Sequence, residues 1–424
     1  MIVRGGIVVT PAGELRADVR VEDGLVAEVA PGLDEERDEL DATGLHVFPG
    51  AVDAHVHFND PGRADWEGAE TGSRALAAGG GTCFVDMPLN AHPPTVDAGA
   101  FGAKEAALNG RSVSDYALWG GLVPGNRDRL GELAGLGVVG FKAFMAPSGI
   151  DDFEAVDLAT LRAGMARAAE LGLPVAVHAE SPARLREPAG AGWLDWARSR
   201  PIEAECAAIE EALALAAETG CSLHVVHVSS AAGVRLVGEA RARGVDATCE
   251  TCPHYLLLCE DDLEELGALA KCAPPIRPAA ERDRLRRELR EGRIDFVASD
   301  HSPAPPSMKT GDDARAVWGG ISGCQSLLAS LLGELPNADV ARLVAAAPAE
   351  RLRLPGKGRV EPGFDADLAL VRLGETALEH DELQDRHRHN PYAGRTFGGR
   401  VVRTLLRGED ALAGPPRGRL LRRR

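Results

Sequence analysis

The sequence has no apolar run long enough to cross a lipid bilayer, and its N-terminus lacks the apolar core of a signal peptide. Aromatic residues make up only 4% of the chain, so the core must be packed mainly from alanine, leucine and valine. Eight cysteines among 424 residues are too few for a disulfide framework. These absences predict a cytoplasmic protein with reduced thiols and no membrane partner.

Positive charge is in the minority, because the formal net charge is −17. Such a chain repels a phosphate backbone, so we expect no nucleic-acid partner. The exception is the basic C-terminal stretch from Arg417 to Arg424. Its position at a chain terminus predicts a frayed, solvated tail.

Short β-branched runs separated by turn residues occur near both ends of the chain and predict strands. These runs are Gly6–Thr10, Asp18–Val21, Leu25–Val29, Ala366–Val371 and Val401–Leu406. We expect residues 1–50 and 355–424 to pair into one small β domain, with the remaining residues in a larger domain.

Between the ends, short apolar runs alternate with helical stretches, which favours parallel strands joined by crossover helices. Eight such runs suit a closed (β/α)8 barrel, which we assign to residues 51–354. The predicted strands are Val52–His57, Thr82–Met87, Tyr116–Gly120, Val138–Phe144, Pro174–His178, Leu223–Val228, Asp246–Thr251 and Asp295–Asp300. Predicted helices include residues 157–171, 201–219, 231–243 and 279–291.

Groups able to bind a metal lie at the ends of five predicted barrel strands. His55 and His57 end the first strand, and residues two apart share a strand face, so both imidazoles can reach one ion. The other strand ends supply Lys142, His178, His227 and Asp300. Active sites of such barrels are built at the C-terminal strand ends. The pattern therefore predicts a metal-dependent hydrolase.

Lys142 and Asp300 each allow two interpretations from the residues alone. Carbamylation by carbon dioxide would turn Lys142 into an anion able to bridge two cations, whereas a plain lysine would reach from the strand end to solvent. Asp300 fits either a metal ligand that also acts as a general base or the N-cap of a following helix. The surrounding metal-binding groups favour the ligand interpretation of Asp300.

Other histidines and cysteines are assigned no role in this site. The Cys249–Cys252 pair with His254 lacks a second CxxC at zinc-finger spacing, so we expect no structural zinc site. His224 is expected to be packed or hydrogen-bonded on the strand face opposite His227. The histidines of the polar C-terminal region are expected at the surface: His380, His387 and His389.

Together these segments resemble the cyclic amidases of the amidohydrolase superfamily, which are the dihydroorotases, hydantoinases and allantoinases. The segments are Val52–His57, Gly140–Lys142, Val177–Glu180, His227–Ser230, Cys252–Tyr255, Ser299–Ser302 and Gly363–Leu368. The resemblance covers nearly the whole chain. It implies a (β/α)8 TIM barrel with a small β-sandwich domain built from both termini, within the α/β class.

The resemblance also implies a centre of two divalent metal ions, with zinc the first choice and cobalt, manganese or iron as alternatives. It places His55, His57 and Asp300 on one ion and His178 and His227 on the other. A carbamate on Lys142 and a hydroxide would bridge the two ions, and Asp300 would act as the catalytic proton shuttle. In this way the resemblance decides the Lys142 alternatives in favour of the ligand.

The substrate is indicated by Asn59. Dihydroorotases carry an arginine at this position, two residues after the second histidine, to hold the substrate carboxylate. An asparagine suits a neutral, urea-like ring instead. Four segments also resemble allantoinases: Asp86–Asn90, Phe141–Met145, Asp300–Pro306 and Trp318–Gly323. The implied reaction is hydrolysis of allantoin to allantoate in purine (ureide) catabolism, with Asn59, Asn90 and Ser322 as substrate contacts.

The nearest alternative is another cyclic amidase, either a hydantoinase (dihydropyrimidinase) or a dihydroorotase. A non-catalytic scaffold is disfavoured because all six metal-ligand positions are filled. A mononuclear deaminase is disfavoured because it has no use for a bridging lysine. Family analogy implies a homotetramer.

Overall fold

The computed structural model describes residues 1–34 and 36–423. Strands in these residues are β1 Ile2–Thr10, β2 Gly13–Glu22, β3 Leu25–Ala30, β4 Glu39–Asp41, β5 His46–Pro49, β6 Ala51–Val56, β7 Gly81–Asp86, β8 Asp115–Leu118, β9 Gly120–Gly121, β10 Phe141–Phe144, β11 Val175–His178, β12 Leu223–Val225, β13 Ala247–Thr251, β14 Phe296–Val297, β15 Leu368–Ala377, β16 Thr396–Leu406 and β17 Glu409–Asp410. The α-helices are α1 Ala69–Ala78, α2 Ala98–Leu108, α3 Leu130–Leu136, α4 Leu158–Glu170, α5 Trp193–Ser199, α6 Ile202–Thr219, α7 Ala231–Ala242, α8 Pro253–Leu257, α9 Glu260–Leu266, α10 Ala279–Arg290, α11 Asn337–Ala341 and α12 Ala347–Leu352.

Strands from both ends of the chain form one mixed sheet. Its order is β17-β16-β15-β5-β1-β2-β3, and β4 pairs with the free part of β1. The junction between the two ends is the antiparallel pair of β5 and β15, in which Val47 lies opposite Leu370. Both side chains are buried in one apolar cluster with Val8 and Val19 of the N-terminal strands. Burial of alternate side chains therefore holds the two chain ends together.

The middle of the chain forms two parallel sheets, β6-β7-β8 and β9-β10-β11-β12-β13-β14. Every residue of β6, β7, β8, β10 and β11 is buried, as expected for strands covered by helices on one face and by core on the other. Helices α4, α6, α7 and α10 begin and end within one residue of the predicted ranges. Side-chain caps help to fix the starts of α4 and α7, where Asp157 accepts the amide of Thr160 at 2.7 Å and Ser230 accepts the amide of Gly233 at 3.1 Å.

Hydrogen bonds connect these two parallel sheets on both sides. On one side the amide of Val139 donates to the carbonyl of Leu118 at 3.0 Å. On the other side the amide of His57 donates to the carbonyl of His301 at 2.8 Å. Because all neighbouring strands are parallel, the C-terminal ends of β6, β10, β11, β12 and β14 lie on the same face. This face is where the predicted metal-binding side chains occur.

Several strands are shorter than predicted. The run predicted as Leu223–Val228 ends as a strand at Val225, and the run predicted as Asp295–Asp300 is a strand only at Phe296–Val297. The reason is backbone conformation, because His227 has a φ of 42° and Asp300 a φ of 47°. A left-handed residue cannot continue a strand. The segments after β12 and β14 therefore leave the sheet where the side chains of His227 and Asp300 turn towards the site.

The prediction of a frayed C-terminal tail is wrong for Arg417–Arg423, and Arg424 lies outside the described residues. The amide of Tyr116 donates to the carbonyl of Arg419 at 2.9 Å, and the amide of Leu421 donates to the carbonyl of Tyr116 at 2.7 Å. The segment therefore pairs with the start of β8. Leu420 and Leu421 pack against the two large apolar clusters, which gives this basic segment a reason to dock.

Two further observations concern membrane-spanning helices and the cysteines. Among residues 1–34 and 36–423, no helix is both long enough and apolar enough to cross a membrane. The eight cysteines are free thiols, and only Cys206 is not fully buried. Burial raises the pKa of the Cys249 thiol above its usual range, which keeps the group protonated.

Candidate metal centre

The first predicted ligand set converges on one point. The Nε2 atoms of His55 and His57 lie 3.2 Å and 3.4 Å from Oδ1 of Asp300. The ligand atoms of these three residues all lie within 4.8 Å of one another. The two imidazoles come from the end of β6 and the carboxylate from the segment after β14, which are neighbours. Two imidazole nitrogens and a carboxylate oxygen form a donor set that suits a divalent transition metal.

The second set lies beside the first. Nδ1 of His178 is 3.1 Å from Nε2 of His227, and the ring centroids of His227 and His55 are 5.5 Å apart. Lys142 has no exposed surface, and its Nζ has no hydrogen-bond partner among the described residues. The ring of Phe144 contacts both residues: it is stacked on His178, and its centroid is 5.1 Å from the Lys142 amine. The alternative in which Lys142 reaches solvent is therefore wrong.

Two buried carboxylates behind the imidazoles were missed by the sequence analysis. Glu250 lies 2.6 Å from Nδ1 of His55, and Glu180 lies 2.8 Å from Nε2 of His178. Each carboxylate accepts a hydrogen bond from the ring N–H that it contacts, so the opposite nitrogen, His55 Nε2 or His178 Nδ1, faces the centre with a lone pair. Glu180 is itself paired with Arg200. The spacing of Glu180 two residues after His178 was the available sequence clue, since such residues share a strand face.

Burial sets the charge state of the centre. It lowers the pKa of three imidazoles, those of His57, His178 and His227. Burial also lowers the pKa of Lys142 to about 8, although Asp300 and Glu250 oppose this effect. Burial would raise the pKa of Glu250, but its contacts with His55 and His224 hold it at about 2. The result is neutral imidazoles at His57, His178 and His227 beside ionised carboxylates, which is what a divalent cation requires of its ligands.

Four of the predicted site residues have a left-handed backbone. The φ values are 65° for Asn59, 66° for Asn90, 42° for His227 and 47° for Asp300. This conformation costs a non-glycine residue roughly 1–2 kcal/mol. Such strain concentrates at functional sites, where the surrounding structure holds the residue in place.

The three predicted substrate contacts, Asn59, Asn90 and Ser322, differ in their surroundings. Asn59 is buried, with Nδ2 3.5 Å from the carbonyl of Pro303 in the segment after Asp300, and its Oδ1 lacks a partner in the described part of the chain. Arg63 links Asn59 to Asn90, because its amide donates to the carbonyl of Asn59 and its guanidinium to that of Asn90, both at 3.1 Å. Ser322 is buried and follows Ile321, which pairs with His301.

The remaining histidines mostly follow their predictions. His224 is hydrogen-bonded, with Nδ1 2.9 Å from Thr248 Oγ1 and Nε2 3.1 Å from Glu250, so the predicted packed role is confirmed. His380 is exposed, whereas His387 and His389 are half-buried. In the sequence, Glu250 lies between Cys249 and Cys252. Its carboxylate contacts His55, a member of the candidate centre.

Comparison with known proteins identifies the family. Residues 46–410 match the family described as Amidohydrolase family. The chain is 53% identical to a protein of Rubrobacter xylanophilus named allantoinase, covering 100% of this chain and 97% of that protein. It is 49% identical to a protein of the same name from Deinococcus radiodurans, covering 100% of this chain and 99% of the relative.

Solved structures give the same grouping. The L-hydantoinase (dihydropyrimidinase) from Arthrobacter aurescens superimposes with a TM-score of 0.96 at 32% identity, covering 100% of this chain and 99% of that structure. A dihydropyrimidinase from Brevibacillus agri superimposes with a TM-score of 0.89 at 28% identity, covering 100% and 98%. The chain therefore belongs to the amidohydrolase family, within the group of cyclic amidases that contains the allantoinases and the hydantoinases.

Proposed function

We propose that this chain hydrolyses a ring amide of allantoin to give allantoate, a step of purine (ureide) breakdown. The observation that carries the substrate choice is the 53% identity over the whole chain to a relative named allantoinase. The residue at position 59 supports the same choice, since the neutral amide of Asn59 stands where dihydroorotases carry an arginine for an acidic substrate.

We infer that the centre holds two divalent metal ions, with zinc the first choice and cobalt, manganese or iron as alternatives. His55, His57 and Asp300 would hold one ion, His178 and His227 the other, and a carbamate on Lys142 would bridge them. The buried and unpartnered amine of Lys142 supports this assignment, because a carbamate would provide the polar contacts that the amine lacks. When bound, such ions make a water molecule nucleophilic at neutral pH and polarise the ring carbonyl.

Asp300 is the proposed catalytic residue. Burial would raise its pKa, but the neighbouring His55 and His57 hold the pKa of Asp300 well below the usual range. Asp300 is therefore ionised and can take the proton of the attacking water. The same carboxyl group can then deliver that proton to the nitrogen that leaves when the ring amide opens.

Asn59 is the main proposed substrate contact. Its amide nitrogen is directed at the Pro303 carbonyl, which leaves the buried Oδ1 to accept an N–H of the substrate. Asn90 and Ser322 are the other proposed contacts. Allantoin is neutral and rich in N–H and carbonyl groups, so uncharged partners suffice, whereas a carboxylate would be left without a counter-charge.

Turnover of allantoin, dihydroorotate and dihydrouracil by the zinc-loaded protein tests the substrate. We expect allantoin to give the highest kcat/KM. Faster turnover of dihydroorotate would overturn the proposal. Faster turnover of dihydrouracil would favour a hydantoinase, the alternative supported by the close superposition on the Arthrobacter aurescens structure. A chain that binds neither metal nor substrate would be a non-catalytic scaffold.

Substitution of Asn59 tests the contact. Asn59→Gly keeps the left-handed backbone and removes the amide, and Asn59→Arg introduces a charge. Both variants should lose about tenfold to a hundredfold in kcat/KM for allantoin, because a substrate N–H is left unpaired. Metal content should stay at the wild-type value. Unchanged kinetics of Asn59→Gly would show that this side chain does not contact the substrate.

We further infer that the two parallel sheets close into a (β/α)8 barrel of residues 51–354. The hydrogen bond from His57 to His301 supports this, as does the bond from the Ser299 amide to Asp53 at 3.0 Å. Residues 1–50 and 355–424 would form the β-sandwich domain. A cytoplasmic homotetramer is part of the same proposal, and light scattering after size-exclusion chromatography tests the oligomer.

A further inference from the structure

His301, the neighbour of Asp300, contacts a segment that belongs to the proposed substrate site. Its Nδ1 lies 3.0 Å from the amide nitrogen of Gly323 and 3.4 Å from that of Cys324. The side chain is buried, with 1% of its surface exposed. A main-chain N–H can only donate, so Nδ1 must act as the acceptor and the ring proton must be on Nε2.

The other side of the ring faces Glu67. The carboxylate of this buried residue lies 3.5 Å from Nε2 of His301, where its charge favours a proton on that nitrogen. Glu67 is held in turn by Arg386, whose amide lies 3.2 Å from Oε1 and whose Nε lies 2.5 Å from the Glu67 carbonyl. The tautomer in which Nδ1 accepts is therefore supported from both sides of the imidazole.

The main chain of His301 is also fixed. Its carbonyl accepts the amide of His57 at 2.8 Å, and the next residue, Ser302, donates its amide to the carbonyl of Ile321 at 2.9 Å. The segment also lies close to Tyr392, because a Cβ at Gly323 would lie 3.1 Å from Cε2 of that ring. The segment 322–324 is thus hydrogen-bonded to His301 and leaves little space beside Tyr392.

We propose that His301 is a positioning residue that holds the segment 322–324, and with it Ser322, against the substrate. This inference rests on the proposed function, in which Ser322 contacts the cyclic amide. The ring acts through the two amides that it accepts and does not contact the reacting atoms. Loss of the acceptor should loosen the segment and weaken productive binding, because small displacements of positioning groups reduce turnover strongly.

Three substitutions separate the acceptor role from a role in packing. His301→Asn can place its amide oxygen close to the position of Nδ1, whereas His301→Gln places it farther out and His301→Leu has no acceptor. In the metal-loaded protein, we expect His301→Leu and His301→Gln to lower kcat/KM by about tenfold to a hundredfold, mainly through KM. His301→Asn should retain activity within about threefold to fivefold of wild type, and metal content should stay constant in all three.

Amide hydrogen exchange of residues 321–325 provides a readout that does not depend on activity. We expect faster exchange in His301→Leu and His301→Gln and wild-type exchange in His301→Asn. If His301→Leu does not fold, the comparison of His301→Gln with His301→Asn provides the same test, since only the asparagine keeps an acceptor close to the position of Nδ1.

The outcomes distinguish this inference from the proposed function. Unchanged exchange in the leucine variant would overturn the positioning role. Equal impairment of the asparagine and leucine variants, or loss of metal in either, would also overturn it, because His301 would then act through packing or through Asp300. If the wild type prefers another cyclic amide, the proposed substrate fails, and the same comparison on the preferred substrate still decides the role of His301.

Discussion

At the scale of single residues, the candidate site depends on carboxylates that stand behind the imidazoles. Glu250 is buried, contacts His55 and His224 with its two oxygens, and holds its negative charge because its pKa is about 2. A carboxylate in this position fixes both the orientation and the tautomer of a metal-binding histidine. Glu250 should therefore affect metal affinity without being a ligand.

Substitution of Glu250 tests this role. Glu250→Gln removes the charge at nearly constant size, so we expect metal affinity to fall by about tenfold to a hundredfold. Titration with zinc against a competing chelator measures the change. Glu211→Gln, at an exposed position of α6, is the matched control and should keep wild-type affinity. Equal affinity in the two variants would show that the carboxylate does not orient His55.

The sequence predicted the six ligand positions because strand ends of parallel sheets must meet on one face, and the structure places those side chains there. It did not predict Glu250, because that contact joins residues 195 positions apart. A pairing of this kind depends on how β6 and β13, which are not neighbouring strands, are placed relative to each other in the fold. Glu180 carried a local clue, since it follows His178 by two residues, but only the fold shows that its carboxylate reaches back to the ring.

At the scale of elements, the four helices with predicted bounds agree with the structure to within one residue, whereas several strand ends do not. Apolar periodicity marks a helix of 12 to 18 residues clearly, as in α6 and α7. Strands β12 and β14 end at Val225 and Val297, before the left-handed residues His227 and Asp300, and periodicity does not reveal that backbone conformation. The docked C-terminal segment was also missed, because its composition indicates solvation and its pairing depends on main-chain groups left available beside β8.

Truncation after Pro416 tests the contribution of this segment. It removes the hydrogen bonds of Tyr116 with Arg419 and Leu421, and the bond from the Gly418 amide to Ser112 at 2.9 Å. With about 0.5–1.5 kcal/mol for each bond and the burial of two leucines, we expect the free energy of unfolding to fall by about 3–6 kcal/mol. Urea unfolding of the metal-free protein measures this loss.

Arg422→Ala is the control for the truncation. It removes the donation to the Leu136 carbonyl and the exposed pair with Glu105, so it should cost less than about 1.5 kcal/mol. If the truncated chain unfolded at the same urea concentration as this control, the main-chain pairing with β8 would not contribute to stability.

At the scale of the whole molecule, a buried ion cluster connects the parallel strands to the terminal sheet. The ammonium of Lys357 lies 2.6 Å from Asp115, at the start of β8, and 2.7 Å from both Asp365 and Asp367, just before β15. Burial alone would lower the pKa of Lys357, but the three carboxylates raise it well above its usual range. One ammonium thus balances carboxylates from both parts of the molecule, and Arg407 adds a further contact to Asp115.

Lys357→Met should destabilise the junction between the two parts, because it leaves buried carboxylates without their cation. Loss of one partner of a buried ion pair costs about 3–5 kcal/mol, and urea unfolding at pH 8 should show a loss of this size.

Because the pKa of Lys357 is raised, its contribution is fully present at every pH below its usual value of 10.5. The carboxylates left in the variant should bind protons more readily when folded than when unfolded, so the deficit should be smaller at pH 5 than at pH 8. Asp365→Asn, which leaves two carboxylates on the ammonium, is the matched control and should cost less. A variant with the wild-type unfolding midpoint at pH 8 would contradict the role of this cluster in joining the two parts.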